Sequence, residues 1–122
     1  MKKVMIVDDA LFMRELLSKI FRGCDFEICC EAGNAKEAVE QYKAYNPDLV
    51  TMDVIMPMVE ELDGIGAVRE IMEFDPGARI LVVSAMSNEL LIKKAITYGA
   101  KDFVVKPFTK ERIIQAAAKA LA

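Results

Sequence analysis

Asp53 sits in a stretch that leaves few folds open. Leu49-Val50-Thr51-Met52-Asp53-Val54-Ile55-Met56-Pro57 is an apolar run holding one carboxylate and closed by a proline. A carboxylate in the middle of a buried strand is costly to desolvate. Just past the strand's carboxyl end, the same group projects into the crevice where open α/β sheets bind ligands. The pattern predicts a buried strand over 48–52 with Asp53 at its exit.

The remaining runs fall into the same rhythm. Lys3–Val7 is a β-rich run that stops at Asp8-Asp9, and Phe26–Ala32 reads as a second strand. Ile80–Val83 is continuously apolar and ends at Ser84, and Phe103–Val105 ends at Lys106-Pro107. Between them lie helical patterns. Met13, Leu16, Leu17 and Ile20 recur at helical spacing, with Gly23 placed as a stop. Asn34 and Glu37 have the spacing of a capping box opening a helix through Tyr42, and Pro47 ends that pattern. Ile65, Val68, Ile71 and Met72 mark a helix ending near Asp75-Pro76-Gly77. Asn88–Tyr98 is a fourth helix stopped by Gly99, and Thr109 caps a last one. The order is β-α five times. Strands that are apolar throughout are covered on both faces, so a parallel doubly wound sheet with helices on each side follows.

The 122 residues suit a single domain, and no repeat, linker or low-complexity segment divides them. With 54% hydrophobic and 29% charged residues the chain reads as globular. A net charge of −3 argues against nucleic acid as a partner. No apolar run approaches the roughly 20 residues of a membrane span, and the stretch behind Met1-Lys2-Lys3 stops at Asp8, too soon for a signal peptide. A cytoplasmic location is expected. Three cysteines and no histidine make a poor zinc site. Cys29 and Cys30, adjacent in a strand, are expected to point to opposite faces and to act as small hydrophobes.

Because parallel sheets bind ligands at the carboxyl ends of their strands, Asp8, Asp9, Asp53, Ser84 and Lys106 are expected to gather at one edge. Three carboxylates there repel, by about 4 kcal/mol for a pair about 4 Å apart at an effective dielectric near 20. Protons or a cation must compensate. An all-oxygen set suits a hard ion, and Mg²⁺ in particular accepts phosphate oxygens as well. Lys106 adds a positive charge for a phosphoryl oxygen, or for a carboxylate when no phosphate is present, and Ser84 adds a hydroxyl donor. Metal, cation, donor and nucleophile are the parts needed to transfer a phosphoryl group to a carboxylate. Singly each residue has a plainer reading, since a strand-end Asp or Ser caps helices and a Lys is usually solvated. Together they favour a site.

Val7-Asp8-Asp9, Asp53 with Met56-Pro57, Asp63-Gly64, Ser84-Ala85 and Lys106-Pro107-Phe108 occur in this order along the whole chain. In this the sequence resembles the receiver domains of two-component response regulators. Asp8-Asp9-Ala10, Phe12-Met13-Arg14 and Ser84-Ala85-Met86 look most like those of stand-alone chemotaxis regulators. The resemblance implies a flavodoxin-like (βα)5 fold with strand order 2-1-3-4-5 and no output domain. It implies Asp53 as phosphoacceptor, loaded by a CheA-type histidine kinase. Asp9, Asp53 and the backbone carbonyl of Ile55 would ligate Mg²⁺, with Asp8 acting through water. Ser84 and Lys106 would hold phosphoryl oxygens. Phe103 would be the switch aromatic, turning inward as the Ser84 hydroxyl moves toward the phosphate, and the Lys106-Pro107 bond would be cis. The chain would be a monomeric phosphoacceptor that assists its own phosphorylation and dephosphorylation rather than a conventional enzyme. Its fourth helix, fifth strand and fifth helix, around Leu90, Ile92, Lys93 and Lys94, would bind a flagellar-motor switch protein. A phosphatase would be a further partner.

Two departures stand out. The switch position holds Phe103 where Tyr is more usual. Five residues, Met58–Leu62, separate Pro57 from Asp63-Gly64, where the family usually has two. Glu60 and Glu61 in that loop are candidates for altering metal affinity or phosphatase docking, against the plainer reading of a harmless longer loop. Three other functions compete. A phosphorelay intermediate would use the same residues. A phosphohydrolase with an Asp nucleophile would need a second Asp two positions on, where Ile55 stands. A phosphorylation-independent binding module has no need of the full acidic, hydroxyl and amine set.

Overall fold

The computed structural model describes all 122 residues, Met1–Ala122. Ten elements alternate: β1 (Lys2–Val7), α1 (Leu11–Arg22), β2 (Phe26–Ala32), α2 (Ala35–Tyr45), β3 (Leu49–Met52), α3 (Gly64–Phe74), β4 (Ile80–Ser84), α4 (Glu89–Thr97), β5 (Asp102–Val105) and α5 (Lys110–Leu121). All strand pairs are parallel, and the sheet order is β2-β1-β3-β4-β5, the doubly wound flavodoxin-like arrangement. The chain moves outward from β1 to β2, then crosses back to β3, so the strand order reverses between β1 and β3. That reversal opens the crevice into which the ends of β1 and β3 point.

The apolar strands bury both faces. On one, Met5, Val50, Met52, Ile80 and Val82 pack beneath α2, α3 and α4. On the other, Val4, Ile6, Leu49, Leu81 and Val83 pack beneath α1 and α5. Side-chain oxygens at Asn34, Asp63, Asn88 and Thr109 accept backbone N–H bonds at the starts of α2, α3, α4 and α5. Each satisfies a donor that the helix itself leaves free.

Local expectations are corrected in four places. The face of α1 is rotated, so that Leu17, Ile20 and Phe21 are buried while Leu16 stands partly exposed. Gly23 ends α1 in right-handed geometry, and the left-handed residue of that turn is Asp25 at φ 64°. Glu37 completes its capping arrangement on Gly33 N–H at 2.9 Å rather than on the cap residue. The fourth change concerns β2. Val4 pairs with Ile28 and Met5 with Cys30, so Cys29 is an extra, bulged residue. Upstream of it Phe26 and Ile28 pack toward α1 and α5; downstream Cys30 and Ala32 pack toward the α2 side. A one-residue insertion inverts the phase of a period-two strand. Cys29 and Cys30 therefore do not point apart: their Sγ atoms lie 3.6 Å from each other.

Candidate functional site

The polar strand ends converge. One carboxylate oxygen each from Asp8, Asp9 and Asp53 lies within 4.8 Å of the others, with Asp8 and Asp53 buried and Asp9 exposed at the mouth. Asp8 is held on both oxygens, by Ala10 N–H at 2.9 Å and by Lys106 Nζ at 2.7 Å. Its backbone is held too: Asp8 N–H continues the ladder to Ala32 O at 3.1 Å, and Arg14 Nη1 donates to Asp8 O at 2.6 Å. Arg14 is itself fixed by Glu31 at 3.1 Å. Asp53 Oδ1 accepts from Ile55 N–H at 3.0 Å, an Asx-type turn that carries the chain out of β3. Its Oδ2 lies 3.4 Å from Lys106 Nζ.

Lys106 thus stands between two buried carboxylates but leans on Asp8. Burial alone would lower its pKa; the hydrogen bond it donates to Asp8 and the charges of both acids outweigh this and raise it. The Asp53 pKa is raised as well, which for a carboxylate disfavours the charged form. Burial pushes its pKa up, the Ile55 N–H and the Lys106 charge pull it down, the Asp8 charge pushes it up again, and the net is upward. An aspartate in this place is a poorly solvated, energetic anion. Such a donor set, oxygen only, with three acids converging and one amine, fits a hard divalent cation.

Ser84 is fully buried at the end of β4. Its hydroxyl accepts from Met86 N–H at 3.2 Å, and its carbonyl accepts from Lys106 N–H at 2.8 Å, which ties the ends of β4 and β5 together. The Lys106–Pro107 peptide bond is cis. Phe103, on β5, is buried among Ala95 and Ala100 on the α2–α4 side of the sheet. Its ring is already inward while the Ser84 hydroxyl is held by its own loop. Gly64, the first residue of α3, packs directly on the exit of β3: a Cβ there would lie 2.4 Å from Val54 Cα and 2.7 Å from Asp53 O. A glycine after Asp63 is what lets α3 start this close to the site.

The long loop is not loose. Val59 and Leu62 exchange backbone hydrogen bonds of 3.3 and 3.0 Å, forming a two-residue hairpin turn. Glu60 and Glu61 occupy its corners at φ 52° and 63°. Glu60 pairs with Lys36 of α2 at 2.9 Å, and neither glutamate joins the acidic cluster. Glu60 and Glu61 thus lie outside the direct ligand group, Glu60 turned toward α2. Sequence reading did not single out Arg14 as a support of the site. Its signal was present, one helical turn past Asp9-Ala10 on the same face as β2, but nothing local marks which carbonyl an arginine reaches.

Residues 4–118 match the family model described as the response regulator receiver domain. A chemotaxis protein CheY of Thermotoga maritima is 50% identical over 115 residues, covering 94% of this chain and 93% of its own. A CheY of Bacillus subtilis is 48% identical over 119 residues, covering 98% and 97%. Among solved structures, the CheX-CheY-BeF3-Mg²⁺ complex from Borrelia burgdorferi superimposes with a TM-score of 0.93 at 38% identity, covering 99% of this chain and 90% of that one. A five-stranded sheet in 2-1-3-4-5 order, acids at the β1/β3 reversal and this full-length similarity lead to one conclusion: the chain belongs to the response regulator receiver family, as a CheY-like receiver of two-component signalling.

Proposed function

We propose that this chain is the phosphorylation switch of a chemotaxis system, with Asp53 as its phosphoacceptor. The observation that carries the reading is the place of Asp53: a buried carboxylate of raised pKa, 3.4 Å from a lysine and beside two further acids. A CheA-type histidine kinase is the expected donor. An Asp53 oxygen forms the new bond to phosphorus as the bond to the donor's histidine nitrogen breaks, leaving that nitrogen free to take a proton. Lys106 moves its hydrogen bonds from Asp8 and Asp53 to a phosphoryl oxygen. Ser84 leaves Met86 N–H and donates its hydroxyl proton to another.

Asp8, Asp9, Asp53 and the carbonyl of Ile55 are the groups that would hold Mg²⁺, and Asp8, with both oxygens engaged, suits a contact through water. Bound there, the ion neutralises the charge that builds on the phosphoryl oxygens and the acids. The reading is supported by the CheY relatives and by the relative whose structure holds BeF3 and Mg²⁺.

The output would be read on α4, β5 and α5. Leu90, Ile96 and Val105 are exposed there beside Lys93 and Lys94, a mixed apolar and basic surface for a flagellar-motor switch protein. Withdrawal of the Ser84 hydroxyl from its loop is the event that would reshape this face, above a Phe103 ring that is already buried. A phosphatase is a further partner, as the CheX complex of the Borrelia relative suggests. The test is incubation with Mg²⁺ and acetyl phosphate followed by intact mass. The chain should gain one phosphoryl group and the Asp53→Asn variant none; an unmodified wild type overturns the proposal.

A further inference from the structure

Adjacent residues of a regular strand send their side chains to opposite faces. Cys29 and Cys30 break that rule because Cys29 is the extra residue of the β2 bulge, and their sulfurs are in contact at 3.6 Å. Cys29 Sγ also lies 3.6 Å from Val4 O. Both residues are half-buried, so part of each side chain is reachable from solvent, and they lie on β2, the edge strand of the sheet.

The sulfur separation selects what could be bound. Two sulfurs each about 2.3 Å from one atom sit about 4.6 Å apart when linear and about 3.8 Å apart at a tetrahedral angle. The observed 3.6 Å fits a bent bridge and not a linear one. Zinc is not served, because it takes at least three protein ligands. The chain has no histidine, and the only place where three ligand-type residues converge is Asp8, Asp9 and Asp53. A group that takes two sulfurs and no more is required. We propose that the Cys29–Cys30 bulge is a dithiol site for a monosubstituted trivalent arsenical, bound through both sulfurs.

The reaction is a condensation. Two As–S bonds form, the oxygen of the arsenoxide leaves as water with both thiol protons, and no atom changes oxidation state. Oxidation of the same pair to a disulfide is disfavoured. Consecutive Cα atoms are about 3.8 Å apart, short of the roughly 4.4 Å at which ordinary disulfides begin. Burial raises the Cys29 pKa and pushes Cys30 up to about 12, so the thiolate that a peroxide needs is scarce.

Phenylarsine oxide is the probe, added to the full chain without other thiols. Intact mass should show one phenylarsenic group per chain, and thiol alkylation after denaturation should find one free thiol where the untreated chain has three. Excess glutathione should leave the adduct in place, and 2,3-dimercaptopropanol should remove it. Cys29→Ser and Cys30→Ser should each weaken retention at least tenfold, while Cys24→Ser should not. An adduct that survives in Cys29→Ser, that glutathione strips, or that consumes a single thiol overturns the site, as does the absence of any adduct. These readouts involve neither Mg²⁺ nor phosphate and are independent of the role of Asp53.

Discussion

The Asp53→Asn variant, useful above as a control, should also be more stable than the wild type when no divalent cation is present. The charges around Asp53 set the size of the effect. Lys106 at 3.4 Å attracts it by about 5 kcal/mol at an effective dielectric near 20. Asp8 and Asp9, within 4.8 Å, each repel it by about 3.5 kcal/mol on the same scale, with the Asp9 share reduced by its exposure to water. Lys106 offsets most of this repulsion, and burial, the largest cause of the raised Asp53 pKa, tips the balance against the charge by roughly 1–2 kcal/mol. Asparagine keeps an acceptor for Ile55 N–H and removes the charge.

Urea unfolding in EDTA at pH 7 and low salt should show the variant about 1–2 kcal/mol more stable, about 4–8 °C in Tm. The pH dependence follows from the raised pKa. A carboxyl that titrates higher in the folded chain contributes stability below its ordinary value of 3.8 and loses it as pH rises through the folded value. The advantage of Asn should therefore be full at pH 7 and shrink toward zero near pH 4. Mg²⁺ at 100 times its Kd should return about 2.7 kcal/mol to the wild type and much less to the variant. A variant that is less stable than wild type at pH 7 in EDTA, or an advantage that does not change with pH, refutes this electrostatic account.

Three further changes probe the frame of the site. Gly64→Ala drives a Cβ into the backbone of Val54 and Asp53, and should cost about 2–3 kcal/mol in urea unfolding while slowing acetyl-phosphate labelling. Replacing Glu60-Glu61 with Asn-Gly relieves two left-handed residues in a two-residue hairpin, and should stabilise by about 1–2 kcal/mol in Tm or urea measurements. The exposed Lys36–Glu60 pair lost in that variant contributes little. Tyr42→Phe removes a buried hydroxyl that donates to Asp75 at 2.7 Å, with an expected loss of about 1 kcal/mol and no change in labelling, because it lies at the far end of α3.

The element order, the parallel sheet and the gathering of Asp8, Asp9, Asp53, Ser84 and Lys106 were legible in the chain because each rests on a local pattern. Apolar runs mark buried strands, Asn34, Asn88 and Thr109 mark helix starts, and the polar residues sit where runs stop. Connectivity then forces parallel strand ends to one edge. What stayed hidden depends on partners distant in sequence. The bulge at Cys29 exists only against β1, and it decides both the face of Cys30 and the contact of the two thiols. Which acid Lys106 prefers, which helix Glu60 turns toward and which carbonyl Arg14 reaches are likewise settled by packing across the sheet. Asp53 was recognisable as an ill-placed carboxylate from nine residues. Its balance of burial, one shared cation and two neighbouring acids belongs to the tertiary structure alone, since those charges come from the ends of two other strands.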